Sequence, residues 1–134
     1  MFVDASAIVA ILTHETGCEA LATSLNAAPR RHTSPIAIFE AALGIRRKRI
    51  STVAEAEQDV FDFLESAQIE VAAIGRQEAL GALDAFSRFG KGTGHPAQLN
   101  MGDCFAYAVA RSLGAPMLFV GEDFARTDVN SPRG

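Results

Sequence analysis

Asp4 closes the apolar run Met1-Phe2-Val3 and stands immediately before a helical segment. An aspartate there either caps the helix that follows or presents its carboxylate at the end of a strand. Ser6 poses the same choice between a helix-start hydroxyl and a partner for that carboxylate. Glu40 is more telling. On a helix starting at Pro35, Ile36, Phe39 and Leu43 recur at helical spacing, and Glu40 falls four residues after the first and three before the last. This spacing puts a carboxylate on an apolar stripe, whereas a solvated one belongs on the other face, near Arg46 or Arg47. A structural salt bridge is the competing reading. Asp103 repeats the pattern beside Cys104-Phe105-Ala106-Tyr107-Ala108-Val109-Ala110, apolar nearly all round. Its separation from Asn100 is also that of a capping box, and the two roles are compatible. Glu122, Asp123 and Asp128 follow the last apolar run, in the kind of loop that often carries acids.

Together these acids imply a chemistry that none implies alone. Two carboxylates ~5 Å apart at an effective dielectric of about 20 repel by roughly 3 kcal/mol. Several can share a site only if they protonate or hold a cation. With oxygen donors and no Cys/His cluster the cation is hard, Mg²⁺ or Mn²⁺, and such ions activate water and steady a phosphodiester oxygen during in-line displacement. His14, His32 and His95 have no metal-ligand spacing and read as ordinary polar residues. Cys18 and Cys104 are far apart, without a C-x-x-C pattern, and read as buried free thiols.

The elements that must position these groups alternate. A strand over Met1–Asp4 is followed by helices over Ala5–Leu12 and Thr16–Asn26, and Arg31–Thr33 is a brief strand. Ser34-Pro35 opens a helix to Arg49. Ser51 or Thr52 forms a capping box opening a helix to Ser66, and Ile69–Ala73 suits a strand. A helix over Arg76–Phe89 leads into the glycine-rich loop Gly90–Leu99. Asn100 caps a helix reaching Leu113, Gly114 ends it, and Pro116–Val120 is the last strand. Strand–helix alternation implies an α/β fold with a parallel sheet covered on both faces. Ligands then bind beyond the carboxyl ends of the strands, just after Val3 and just after Val120.

The 134 residues, 49% apolar and 21% charged, suit a single domain over residues 1–134. Only the polar tail Asn130–Gly134 is expected to lack order. The net charge of −4 argues against a general nucleic-acid binder. The run Arg46-Arg47-Lys48-Arg49 is the exception. It reads either as helix-end capping of the macrodipole or as an RNA contact. No leader sequence and no apolar stretch of ~20 residues is visible, so a cytoplasmic location is expected.

The segments Phe2-Val3-Asp4-Ala5-Ser6-Ala7, Phe39-Glu40, His95 to Ala108 with its Gly102-Asp103-Cys104-Phe105-Ala106-Tyr107 block, and Leu118 to Phe124 with Thr127-Asp128 resemble VapC-type toxins of the PIN-domain family. The resemblance runs from the first residue nearly to the last. It implies a three-layer α/β/α sandwich with a mostly parallel sheet. It also implies metal-dependent endonuclease action on RNA, usually transfer or ribosomal, with Mg²⁺ or Mn²⁺. A homodimer and a small VapB-type antitoxin are implied as partners, with no membrane. Carried over by position, Asp4, Glu40 and Asp103 correspond to the core catalytic, metal-holding acids. Many relatives have an aspartate where this chain has Gly121. Asp123 is assigned as the fourth acid, acting through metal-bound water, with Asp128 the alternative and Ser6, Thr127 and Asp128 as supporting groups. Two other readings compete: a phosphoacceptor receiver domain, and a PIN-like RNA- or protein-binding module without catalysis. The first wants an acidic pair on the first strand and a lysine after the last, and neither is present.

Overall fold

The computed structural model describes residues 1–130. Four short strands, β1 (Phe2–Val3), β2 (His32–Thr33), β3 (Glu70–Val71) and β4 (Met117–Leu118), form a sheet of order β3-β2-β1-β4. Every pair is parallel: Phe2 is opposite His32 and Met117, and Thr33 is opposite Val71. Six helices connect them: α1 (Ala5–Leu12), α2 (Cys18–Ala27), α3 (Pro35–Arg49), α4 (Val53–Ser66), α5 (Arg76–Phe89) and α6 (Met101–Leu113). Right-handed crossovers place the β1-to-β2 and β2-to-β3 helices on one face and α5 with α6 on the other. The result is the three-layer α/β/α sandwich.

Local signals fix the helix ends. The Ser34 hydroxyl accepts from the Ala37 N–H with Pro35 just inside, and Thr52 and Glu55 form the capping box of α4. Gly114 closes α6 in a left-handed conformation, φ +64. The core gathers Phe2, Val3, Ile8, Ile45, Val60, Leu99 and Val109, all fully buried. Among the described residues no helix is long and apolar enough to cross a membrane.

Several expectations change. Each strand is shorter than the span expected for it, two residues in every case. α2 starts at Cys18 rather than Thr16, because Gly17 takes φ +90 and breaks the helical path before it. The buried stripe of α3 is Ala37, Ala41, Gly44 and Ile45, not Ile36, Phe39 and Leu43. Phe39 is 65% exposed. Small residues win that face because α3 lies close on α1: a Cβ on Gly44 would stand 2.8 Å from a methyl of Val9. Extended geometry does not persist past Val120, since Gly121 turns the chain at φ +105 and Asp123 is already helical before a 3-10 turn at Phe124–Arg126. Cys104 is buried, whereas Cys18 is only half-buried, and both are free thiols. Most of the polar tail, residues 131–134, lies outside the described residues.

The chain leaves β1 toward β2 on one side and returns to β4 on the other. The order of connection therefore reverses between β1 and β4, and their carboxyl ends frame the crevice where such sheets bind ligands.

A candidate acidic site between the first and last strands

Asp4 caps α1 and is also held at the crevice. Its Oδ2 accepts from the Ser6 N–H at 3.0 Å and from the Ser6 hydroxyl at 2.5 Å. The same Ser6 Oγ accepts from the Val120 N–H at 3.0 Å. One hydroxyl thus joins the carboxylate after β1 to the backbone leaving β4. Asp4 is only 5% exposed. Burial raises its carboxyl above the usual range, against the pull of the Ser6 hydrogen bonds.

Asp103 is likewise both cap and site. Its carboxylate accepts from the Asn100 N–H at 3.1 Å, while its own N–H donates to Asn100 Oδ1 at 2.9 Å. Burial raises it to about 6 against that Asn100 hydrogen bond, with the charges of Asp4 and Asp123 adding to the rise. Glu40 comes from α3 and lies on the first turn of α6, where a Cβ on Gly102 would stand 2.5 Å from its Cδ. Burial raises Glu40 to about 7, followed by the charges of Asp4 and Asp103.

Asp4, Glu40 and Asp103 therefore line one cavity of about 380 Å³, together with Ser6 and Val120. Among the described residues no three His, Cys, Asp or Glu side chains are placed so that they could hold a metal ion between them directly. The acids feel one another's charge across an open cavity. Their donor chemistry, oxygen alone with raised proton affinities, fits a hard divalent cation whose remaining positions are filled by water.

The other predicted residues divide. Asp123 is exposed and stands before the 3-10 turn, close enough for its charge to act on Asp103. Asp128 goes elsewhere. It accepts from the Tyr107 hydroxyl, from Arg88 Nη2 at 3.1 Å and from Arg111 Nη2 at 3.2 Å. Burial pushes its carboxyl up, but those hydrogen bonds and cations prevail and hold it below the usual range. Thr127 anchors its loop, donating to the Phe124 carbonyl at 2.7 Å and accepting from the Val129 N–H at 3.2 Å. Glu122 is exposed. A larger cavity of about 520 Å³ between α5 and α6 includes Arg88 and Arg111, which pair with Asp84 and Asp128, so it lacks the uncompensated acids of the first. The histidines lie apart: His32 faces Glu70 at 3.5 Å, and His95 Nδ1 accepts from the Ala97 N–H.

Gly102, against the Glu40 carboxylate, and Glu15, at the cavity, are not singled out by the sequence; Arg47 and Lys48 of the basic run also line that cavity. Lys48 pairs with Glu15 across its edge. Arg47 lines the cavity too, contrary to the expectation that it lies on the face opposite Glu40. Seven residues separate them, two helical turns, which returns Arg47 to the Glu40 face. The spacing was visible in the sequence.

A profile of the PIN domain matches residues 1–130. The chain is 40% identical to a VapC ribonuclease of Rhizobium meliloti over 96% of this chain and 98% of that one. It is 39% identical to ribonuclease VapC42 of Mycobacterium tuberculosis over 96% of each chain. It is 40% identical to ribonuclease VapC of Mycolicibacterium smegmatis over 96% of this chain and 97% of that one. With its parallel sheet, its crevice between β1 and β4 and its acids gathered there, the chain belongs to the PIN domain family, among the VapC-type proteins.

Proposed function

We propose that this chain is an endoribonuclease that hydrolyses RNA phosphodiester bonds with Mg²⁺ or Mn²⁺ held by Asp4, Glu40 and Asp103. The observation that carries the reading is the raised proton affinity of Glu40 and Asp103 beside buried Asp4 in one open cavity. Full-length similarity to proteins named ribonucleases gives the substrate class. A bound divalent cation supplies activation of water and charge stabilisation at the phosphodiester. The chain's own groups fix the geometry. Ser6 locks Asp4 against β4, Asn100 locks Asp103 in its capping box, and Glu40 closes over the first turn of α6. Asp123, exposed at the site, is assigned the fourth acid, acting through water. Arg47 puts positive charge beside the acids, where a polyanion must enter.

The same similarity supports a toxin role with a VapB-type antitoxin as partner; on this reading the substrate is transfer or ribosomal RNA, met in the cytoplasm. Exposed Phe39 and half-buried Ile36 and Leu43 leave an apolar strip along α3. That strip supports self-association into a homodimer and a groove for an antitoxin helix, with a cationic antitoxin side chain reaching the acids. Cleavage of RNA in the presence and absence of Mg²⁺ or Mn²⁺, by the wild type and Asp4→Asn, tests the enzymatic reading. Metal-independent cleavage, or an active Asp4→Asn, overturns it.

A further inference from the structure

We infer that Gly102 is a positioning residue whose missing side chain is the seat of the Glu40 carboxylate, so that Glu40 meets Asp103 only because position 102 is empty. The inference rests on the proposed metal site.

Gly102 is buried in the first turn of α6 in ordinary helical backbone. No turn and no left-handed conformation calls for glycine there, and glycine weakens a helix relative to alanine. Only space accounts for it. The three atoms nearest to a Cβ built at Gly102 are the two carboxylate oxygens and Cδ of Glu40, with Cδ at 2.5 Å. The glycines at other helix contacts differ: a Cβ at Gly44 meets a Val9 methyl, and one at Gly81 meets the Ala108 Cβ at 3.1 Å. Those two let helices approach, whereas Gly102 admits a functional group. The seat also lies at the positive end of α6, where a carboxylate is favoured.

The obstacle an alanine would meet is the end of a flexible side chain, not backbone. Gly102→Ala is therefore accommodated by swinging the Glu40 carboxylate aside, with α6 and the fold unmoved. Stability and metal affinity should then move in opposite directions, which a packing role would not produce.

The test is Mn²⁺ titration calorimetry and metal-free thermal melting of the full chain as wild type, Gly102→Ala, Glu40→Ala and the double variant. Gly102→Ala should melt at or above the wild type without metal and bind Mn²⁺ about 10–100-fold more weakly, the range for groups that orient ligands. In the Glu40→Ala background the same change should leave Mn²⁺ affinity unaltered. An equal loss in both backgrounds, or unchanged affinity in Gly102→Ala alone, overturns the inference. If the wild type binds no Mn²⁺, the metal-site reading fails, and the seat is judged without metal. The Glu40 carboxyl carbon resonance must then shift in Gly102→Ala while the amide resonances of 105–110 stay in place. An unmoved Glu40 resonance refutes the seat.

Discussion

Glu40→Gln keeps the side chain's length and removes its charge, and its effect on the metal-free protein follows from the site. Glu40 is raised from 4.5 to about 7, first by burial and then by Asp4 and Asp103. At 1.36 kcal/mol per pKa unit that rise corresponds to about 3 kcal/mol. Glu40 is only part-buried, and solvent screening leaves roughly 1–2 kcal/mol. The sign follows from linkage. A carboxyl with a native value above its unfolded one takes up protons on folding, so its contribution is complete below pH 4.5 and is lost as pH rises through about 7. Asp103 acts in the same direction between 3.8 and about 6. Asp128, with a lowered value, loses its contribution only as pH falls below its ordinary 3.8, outside that window. The metal-free wild type should therefore lose stability between pH 4.5 and 8, and Glu40→Gln should lose less. At pH 8 the variant should be more stable by roughly 1–2 kcal/mol, about 3–8 °C for a domain of this size, and near-equal at pH 4.5. Thermal and urea denaturation in chelator at pH 4.5, 6 and 8 measure it. A variant less stable than wild type at pH 8, or a gain independent of pH, would show that Glu40 is not strained by its neighbours.

Four further outcomes follow from the same geometry. Ser6→Ala removes the group joining Asp4 to the Val120 N–H and should cost about 1–2 kcal/mol in denaturation and roughly 10–100-fold in Mn²⁺ affinity; unchanged affinity would separate Ser6 from the site. Asp128→Asn loosens Arg88, Arg111 and Tyr107 and should lower stability by about 1–2 kcal/mol, with the rate per folded molecule retained. Asp123→Asn should lower the rate, though less than Asp4→Asn does, and a silent Asp123→Asn beside a crippled Asp128→Asn would transfer the fourth acid to Asp128. Arg47→Ala should raise KM several-fold and reduce the slope of log affinity against log salt by about 1; an unchanged slope would show that Arg47 meets no phosphate.

Most helix boundaries were legible because their caps are local. Ser34 with Pro35, Thr52 with Glu55, and Asn100 with Asp103 act within one turn and need no tertiary partner. β1 and β4 are legible as apolar runs and β3 by its β-branched content, whereas β2 falls on the polar Arg31–Thr33; pairing trims each strand to two residues. On α3 side-chain size does not predict burial. Ala37, Ala41 and Gly44 are inside because α1 comes close, while larger Phe39 stays out. Glu40 borders the buried stripe of Ala37, Ala41 and Gly44, while its larger neighbours Ile36 and Leu43 stay half-buried. The loop after β4 could not be read by strand alternation, because Gly121 bends the chain at a conformation only the fold reveals. Asp128 could not be placed either, since its partners Arg88 and Arg111 are 40 and 17 residues away.

The central claim is that Asp4, Glu40 and Asp103 act by holding a divalent cation against RNA. The most direct measurement is single-turnover RNA cleavage by the wild type and Asp103→Asn across a Mn²⁺ titration, with calorimetric Mn²⁺ binding on the same samples. Cleavage should require Mn²⁺ and saturate with the measured binding isotherm. Asp103→Asn, still folded, should lose more than ~100-fold in both affinity and rate, beyond the loss typical of an orienting group. Wild-type cleavage in chelator, or an Asp103→Asn variant that cleaves at the wild-type rate, would contradict the account.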